Sequence, residues 1–136
     1  MIVLEKLEDL KKYYNAEDNS FKFQEGIQIK FDLKIEANLI VAGDINAKDI
    51  DAWDINACDI NAMDINAMDI VARNIDAMDI NAKDIVAWDI NASDIEYYAF
   101  AVAYRSFKCI SATARRENGI AVCLDQPIFY KDKENK

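Results

Sequence analysis

Aspartate recurs at every fifth position through the middle of the chain. Each of these carboxylates stands directly before an isoleucine of a tandem Ile-x-Ala-x-Asp pattern. They are Asp44, Asp49, Asp54, Asp59, Asp64, Asp69, Asp79, Asp84, Asp89 and Asp94. Regularly spaced carboxylates can supply an acid–base pair, hold a cation, or present negative charge to a basic partner.

Catalysis and metal binding find little support elsewhere in the sequence. Acid–base chemistry needs one carboxylate set apart from its neighbours, and the repeat offers only equivalent ones. Histidine is absent, and the three cysteines lack CxxC spacing. The glycine-rich runs of calcium-binding β-rolls are missing too, which leaves only weak cation binding by an Asp column. The sequence therefore predicts no catalytic residue, no enzyme activity, no metal site and no cofactor.

The net charge of −9 lies entirely within the repeat. Residues 44–94 contain twelve Asp and three cations, Lys48, Arg73 and Lys83, whereas the flanks are neutral overall. Spread along a stack of twenty-residue coils, this is roughly 0.7 charge per Å, against about 0.6 for duplex DNA. Such a surface repels nucleic acid and predicts a protein partner with a basic groove.

Turn chemistry is a competing explanation for the same aspartates. An Asp side chain accepts backbone N–H groups at a bend, and Asn, which stands at position 74, can do the same. Both explanations can hold together, because aspartates that form turns still carry their charge.

The residue after each Ala varies, and several of these residues are large and apolar. Exposed Met and aromatic side chains on a rigid scaffold are enriched at interfaces. The interface candidates are Trp53, Met63, Met68, Met78 and Trp88. The alternative is that the aromatic-rich flanks fold back over them as ordinary packing.

The period of five determines the architecture that positions these residues. Ile recurs every five residues from Ile35 to Ile95, with Ala two residues later. A helix of 3.6 residues per turn would spread the Ile around every face, and a flat strand would alternate them between two faces. A bend once per five residues keeps Ile and Ala on one side. We expect four such segments to close a coil of twenty residues around an Ile/Ala core.

The flanks are predicted to cap this stack. Residues 2–14 have the apolar spacing of a short amphipathic helix, and residues 21–35 alternate as two strands joined by a turn at 24–26. Asn118-Gly119 predicts a hairpin. The expected organisation is one domain, with an N-terminal cap over 1–34, a β-helix over 35–112, and a C-terminal hairpin cap and frayed tail over 113–136.

The repeat resembles the pentapeptide-repeat family of right-handed quadrilateral β-helices. The Asn or Asp between the two inward residues matches that family, as at Asn46, Asp51 and Asn56, whereas the large Ile precedes the small Ala instead of following it. The resemblance implies an all-β, right-handed parallel β-helix of about four twenty-residue coils. Some members of the family act as DNA mimics on topoisomerases, and members with that role are often dimers.

Charge and resemblance together predict a non-enzymatic interaction protein. Its acidic shaft would bind a nucleic-acid-handling protein, as a DNA mimic or inhibitor. The alternative is a structural module that self-associates through the exposed Trp/Met surface. We also expect a homodimer, no direct nucleic-acid or membrane contact, and a cytoplasmic location, since the N-terminus lacks signal-peptide features.

Overall fold

A computed structural model describes residues 1–131 of the chain. Parallel strands stack into a β-solenoid of about six turns. The predicted all-β solenoid is therefore confirmed. The part of the predicted frayed tail at 132–136 lies outside the described residues.

The elements follow one another with very short connections. The N-terminal part contains one 3₁₀ helix (Leu7–Tyr13) and the strands β1 (Ile2–Leu4), β2 (Tyr14–Asn15), β3 (Ser20–Phe23), β4 (Ile27–Ile29), β5 (Leu33–Lys34) and β6 (Asn38–Val41). The repeat and the C-terminal part form β7 (Ile45–Asn46), β8 (Asp49–Asp51), β9 (Asp54–Asn61), β10 (Asp64–Asn66), β11 (Asp69–Asp76), β12 (Asp79–Asn91), β13 (Asp94–Cys109), β14 (Ser111–Ala114), β15 (Ile120–Cys123) and β16 (Phe129–Tyr130).

One coil of the repeat contains fifteen residues. Ile55 pairs with Ile70, which pairs with Ile85, and all these strands are parallel. Three pentapeptides therefore close a three-sided coil, and the predicted coil of twenty residues and four sides is wrong. Geometry gives the reason: with sides of roughly 16 Å, the centre of a triangle lies about 5 Å from each side and that of a square about 8 Å. Ile and Ala side chains fill the smaller space.

Each of the three sides is a parallel sheet, which we name after its outward residues. The acidic side contains β5, β8, β10, the first parts of β12 and β13, and β14. The valine side contains β3, β6, the first halves of β9 and β11, the middle of β12 and β13, and β15, with β2 antiparallel to β3. The asparagine side contains β1, β4, β7, the last parts of β9, β11, β12 and β13, and β16.

Isoleucine and alanine form the core, as predicted. The Ile side chains from Ile45 to Ile95 are buried, and the Ala residues between them line the same interior. Ile40 is an exception, because β6 points Leu39 and Val41 inward and leaves Ile40 exposed. Ile35 is buried, Leu39 takes the place expected for Ile40, and the unbroken series of buried Ile residues begins at Ile45.

The last full coil is longer because it carries two bulges. β13 gains one residue on β12 at Tyr98-Ala99 and another at Tyr104-Arg105, so that Asp94 pairs with Ser111. A strict count of five gives Arg105 the position of a core Ile, where a charged side chain is a misfit. The bulges turn Arg105 outward and bring Phe107 into the buried position.

The caps differ from the prediction in part. The helix is confirmed for Leu7–Tyr13, where Leu10 covers the end of the core, but residues 2–4 form β1. The hairpin is wrong, because β14 and β15 each pair in parallel with β13. Asn118-Gly119 is a corner of the solenoid instead, where the Gly119 N–H donates to the Arg116 carbonyl. Within residues 1–131 no helix has the length and apolar character needed to cross a membrane.

Candidate functional site

The ten predicted partner-binding aspartates fall into three columns, one at the start of each side. Within a column successive positions are fifteen residues and one strand spacing apart, and Asn74 occupies the position between Asp59 and Asp89. The acidic side holds Asp49, Asp64, Asp79 and Asp94, the valine side Asp54, Asp69 and Asp84, and the asparagine side Asp44, Asp59 and Asp89. The shaft therefore has three distinct charged edges, and no single surface contains all ten.

Backbone hydrogen bonds close the corners that precede these aspartates. The N–H groups of Met63 and Asp64 both donate to the Lys48 carbonyl, at 2.8 and 3.0 Å. Met78 and Asp79 repeat this arrangement on the Met63 carbonyl. Each corner is thus held by the corner of the preceding coil, and the Asp side chain is left to interact along its column.

The column on the asparagine side is relieved of most of its repulsion by neighbouring side chains. Asn74 donates from Nδ2 to Asp59 Oδ1 at 2.9 Å. Asp89 accepts from Ser106 Oγ at 2.8 Å and forms an ion pair with Arg105. The Arg105 guanidinium holds the pKa of the Asp89 carboxyl below its usual range. These contacts stabilise the fold and therefore account for the aspartates of this column.

The acidic side forms a shallow groove that is lined by carboxylates, of which Asp94 accepts a hydrogen bond from Ser111 Oγ at 2.9 Å. The groove has a volume of about 710 Å³. Six carboxylates line it, and none of its lining residues is Lys or Arg. They are Asp49, Asp51, Asp64, Asp79, Asp94 and Glu96. Within residues 1–131, Lys34 pairs in register with Asp51, Lys48 lies close enough to Asp49 to oppose the rise that burial causes in its pKa, and Arg115 Nε lies 3.7 Å from Glu96 Oε1.

Partial burial, followed by the charge of neighbouring aspartates, raises the pKa values of three aspartates. Partial burial, together with the charges of Asp32 and Asp64, raises the pKa of Asp49 in the groove. On the valine side, partial burial and the charge of Asp69 raise the pKa values of Asp54 and Asp84. The negative charges of Asp49, Asp54 and Asp84 therefore cost stability, which makes turn formation alone an incomplete explanation for these three residues.

Two oxygens on the valine side show the same cost directly. Oδ1 of Asp69 and Oδ1 of Asp84 are buried and accept no hydrogen bond from residues 1–131. Although Asp side chains stack here, the described residues contain no group of three metal-binding side chains arranged to hold an ion. Protonation of Asp54 or Asp84, whose pKa values are raised, relieves the repulsion in this column.

We expect the melting temperature to rise as the pH falls from 7 to about 4. A pKa raised by folding adds stability below the unfolded value of about 4 and loses it as the pH rises through the folded value. Asp49, Asp54 and Asp84 act in this direction. Below about pH 4 the melting temperature should fall again, because Asp18 and Asp89 have lowered pKa values. Circular dichroism melts between pH 3 and 7 measure this.

A double variant assigns the effect to the column on the valine side. Asp54→Asn/Asp84→Asn should flatten the dependence of the melting temperature on pH between pH 4 and 7. Asp76→Asn/Asp125→Asn removes the same charge elsewhere and should leave that dependence unchanged. A melting temperature that stays level or falls from pH 7 to 4 in the unchanged protein would contradict the proposed repulsion.

The five Trp and Met candidates are all exposed, but they lie at three different corners. Trp53 and Met68 stand between the acidic and valine sides, Met63 and Met78 between the asparagine and acidic sides, and Trp88 between the valine and asparagine sides. They do not form one Trp/Met surface. The coil length decides which of these residues are neighbours, and in a coil of fifteen residues they lie at separate corners.

Sequence reasoning missed the residues between Ile and Ala as contributors to a site. Asp51 and Glu96 line the acidic groove from this position. On the valine side the same position holds Val71, Val86 and Val102, where the other two sides carry polar residues. The separation of fifteen residues between Val71 and Val86 was the sequence feature that could have distinguished this side from the other two.

A fifteen-residue coil also changes the charge density of the shaft. The −9 of residues 44–94 now extends over more coils. At about 4.8 Å per coil the density is roughly 0.55 charge per Å of axis, close to the 0.6 of duplex DNA.

Comparison with known proteins leaves these surfaces as the basis for assigning a role. No protein-family model, no curated protein and no solved structure matches the chain.

Proposed function

We propose that the chain is a non-enzymatic interaction protein whose acidic side binds the nucleic-acid groove of a nucleic-acid-handling protein. In this role it acts as a DNA mimic or inhibitor. The observation that carries the proposal is the groove lined by six carboxylates and by neither Lys nor Arg. A basic protein groove has the charge needed to occupy it, whereas nucleic acid is repelled.

The spacing of the charges also supports mimicry. Asp64 and Asp79 pair in register on adjacent parallel strands, so the column repeats at the strand spacing of about 4.8 Å. Their isoleucine neighbours are buried, which fixes the backbone that carries them. Such a rigid row of charges meets a basic groove without the entropy loss of ordering a flexible acidic segment.

The remaining parts of the proposal concern relationship and location. We propose a relationship to the pentapeptide-repeat family on the strength of the Ile-x-Ala-x-Asp motif, with three sides in place of four. A right-handed coil belongs to this proposal and agrees with the strong preference of parallel β connections for that hand. A cytoplasmic location fits a nucleic-acid-handling target and the free thiols of Cys58, Cys109 and Cys123.

Displacement of DNA from its binding proteins tests the proposed function. The probe is a labelled duplex bound to each of a panel of topoisomerases, nucleases and phage-defence complexes, followed by fluorescence anisotropy. The purified chain should displace the duplex from at least one member. The concentration needed should increase more than tenfold between 50 and 200 mM salt, because charge attraction is screened.

Matched variants locate the binding surface. Asp64→Asn/Asp79→Asn/Asp94→Asn should weaken displacement about tenfold, at about 0.5 kcal/mol for each exposed pair. Asp44→Asn/Asp59→Asn/Asp76→Asn removes the same charge from the asparagine side and should leave displacement nearly unchanged. Equal loss in both variants, or no displacement from any panel member, would refute binding through the acidic side.

A further inference from the structure

The valine side presents a continuous apolar surface over its last four strands. Alternation along each strand points the first, third and fifth residues outward. The outward residues form three columns, which read Asp69, Asp84, Phe100, Ile120; Val71, Val86, Val102, Val122; and Arg73, Trp88, Tyr104, Leu124. Nine of these twelve residues are apolar or aromatic.

Several of these side chains are widely exposed in the single chain. Val71 is 47% exposed, Trp88 53%, Leu124 59% and Ile120 61%. The rings of Trp88 and Tyr104 pack edge to face with centroids 5.9 Å apart, so that together they form one ridge along the corner. A contiguous apolar surface of this kind, bordered by charged residues, is characteristic of an interaction site.

We infer that the valine side is a self-association surface, on which two copies of this chain pack face to face with their solenoid axes parallel. Both surfaces are flat sheets, and flat sheets pack against each other about 10 Å apart through interdigitated β-branched side chains. The inference is independent of the acidic groove, which lies on another side.

The charges at the two borders of this side determine the arrangement. Asp69 starts the same strand segment that Arg73 ends, so on β11 one border carries an anion and the other a cation. A two-fold axis parallel to the solenoid axis places Asp69 opposite Arg73 of the second copy, and the reverse pair forms by symmetry. A two-fold axis along the strands would instead bring the columns of Asp54, Asp69 and Asp84 together, which repulsion disfavours.

The area of the surface sets the expected strength. Four strands at about 4.8 Å, with sides of roughly 16 Å, give a projected surface of about 300 Å² per copy. The total of about 600 Å² is smaller than a standard stable interface and is typical of weak, transient association. We therefore expect a dissociation constant in the micromolar range.

A second copy fits this surface better than a lipid bilayer does. The aspartate column along one border would face the negative charges of an anionic membrane. The second copy instead offers Arg73 to Asp69 and an apolar column to Val86 and Val102. Self-association also places both acidic grooves on outer surfaces of the dimer.

Sedimentation velocity on the full chain from 1 to 300 µM tests the inference. We expect a reversible monomer–dimer equilibrium that does not weaken in 0.5 M NaCl, since salt screens the −9 of each copy and leaves apolar contacts intact. Val86→Lys should raise the dissociation constant at least thirtyfold, because it buries two unpaired charges at the interface. Asn91→Lys, which adds the same charge on the asparagine side of β12, should not raise it.

A charge swap tests the parallel arrangement. Arg73→Asp should weaken the dimer about five- to tenfold, and Asp69→Arg/Arg73→Asp should restore it, because the cross-copy pairs are then re-formed. Circular dichroism melts of each variant confirm that the fold is retained.

Three outcomes would overturn the inference. The first is an unchanged protein that stays monomeric at 300 µM, and the second is a Val86→Lys variant that dimerises as well as the unchanged protein. The third is a monomer that cosediments with phosphatidylcholine vesicles and loses this binding in Val86→Lys, which assigns the surface to lipid. Failure of the charge swap alone would overturn the parallel arrangement.

Discussion

Replacing Ile85 with alanine is expected to lower the free energy of unfolding by about 4 kcal/mol. Ile85 is fully buried and lies between Ile70 of the preceding coil and Ala101 of the next. Because Ala101 is already small, no neighbour in the next coil can fill the space, and the cavity remains. Urea unfolding followed by circular dichroism measures the loss.

A control on the surface separates packing from strand propensity. Asn66→Ala changes an exposed residue between Ile and Ala on the acidic side and should alter the free energy of unfolding by less than about 0.5 kcal/mol. A loss below about 1 kcal/mol for Ile85→Ala would mean that the column of isoleucines does not hold the coils together as described.

Introducing a thiol at position 73 is expected to produce a disulfide with Cys58. The two positions lie at the same corner in adjacent coils, one strand spacing of about 4.8 Å apart, which is within the Cα separation that a disulfide spans. Oxidised Arg73→Cys should gain up to about 3 kcal/mol by closing a loop of fifteen residues, or about 10 °C in melting temperature. Cys123→Ser serves as the background, and burial raises the pKa of the Cys109 thiol to about 11, which keeps it unreactive.

The matched control distinguishes a coil of fifteen residues from one of twenty. Met78→Cys in the same background places the new thiol twenty residues after Cys58, at a different corner of the triangle. It should therefore form no bond with Cys58. Thiol quantification before and after oxidation, followed by peptide mapping, reads out both variants. A disulfide in Met78→Cys and none in Arg73→Cys would reverse the conclusion about the coil.

The period of five was sufficient to predict the solenoid and its core. Ile45 and Ala47 can share one side only if the chain bends before the next pentapeptide, and this argument holds whatever the number of sides. The buried isoleucines of the structure follow from it. The prediction failed at Ile40, which has the spacing of the core isoleucines but points outward. In β6 it is Leu39 that pairs with the buried Ile55.

The number of sides could not be read from the period alone. Both three and four pentapeptides keep Ile and Ala inward, so the choice depends on how well the side chains fill the interior. The two valines at positions 71 and 86 were the informative departure, because they replace Asn or Asp and are separated by fifteen residues. With them the three sides can be told apart before any coordinates are known.

The candidate sites were predictable only as a set of residues. All ten aspartates were named, but their division into three columns depends on the coil length. The groove also includes Asp51 and Glu96, which do not belong to the repeated aspartate position. The apolar surface of the valine side depends further on the bulges at Tyr98-Ala99 and Tyr104-Arg105, since an inserted residue at a corner leaves no periodic signal.

Because each coil has three sides, the effect of an insertion on the solenoid depends on the length of the insertion. Replication slippage that duplicates the codons of one pentapeptide would leave Ile and Ala pointing inward. It would also rotate every residue C-terminal to the duplication by a third of a turn about the solenoid axis. The carboxylate groove would then be split between two sides, and the valine column would be interrupted. Only insertions of whole fifteen-residue units lengthen the shaft with all three surfaces intact, so the chain can retain its fold through duplications that would erase its binding surfaces.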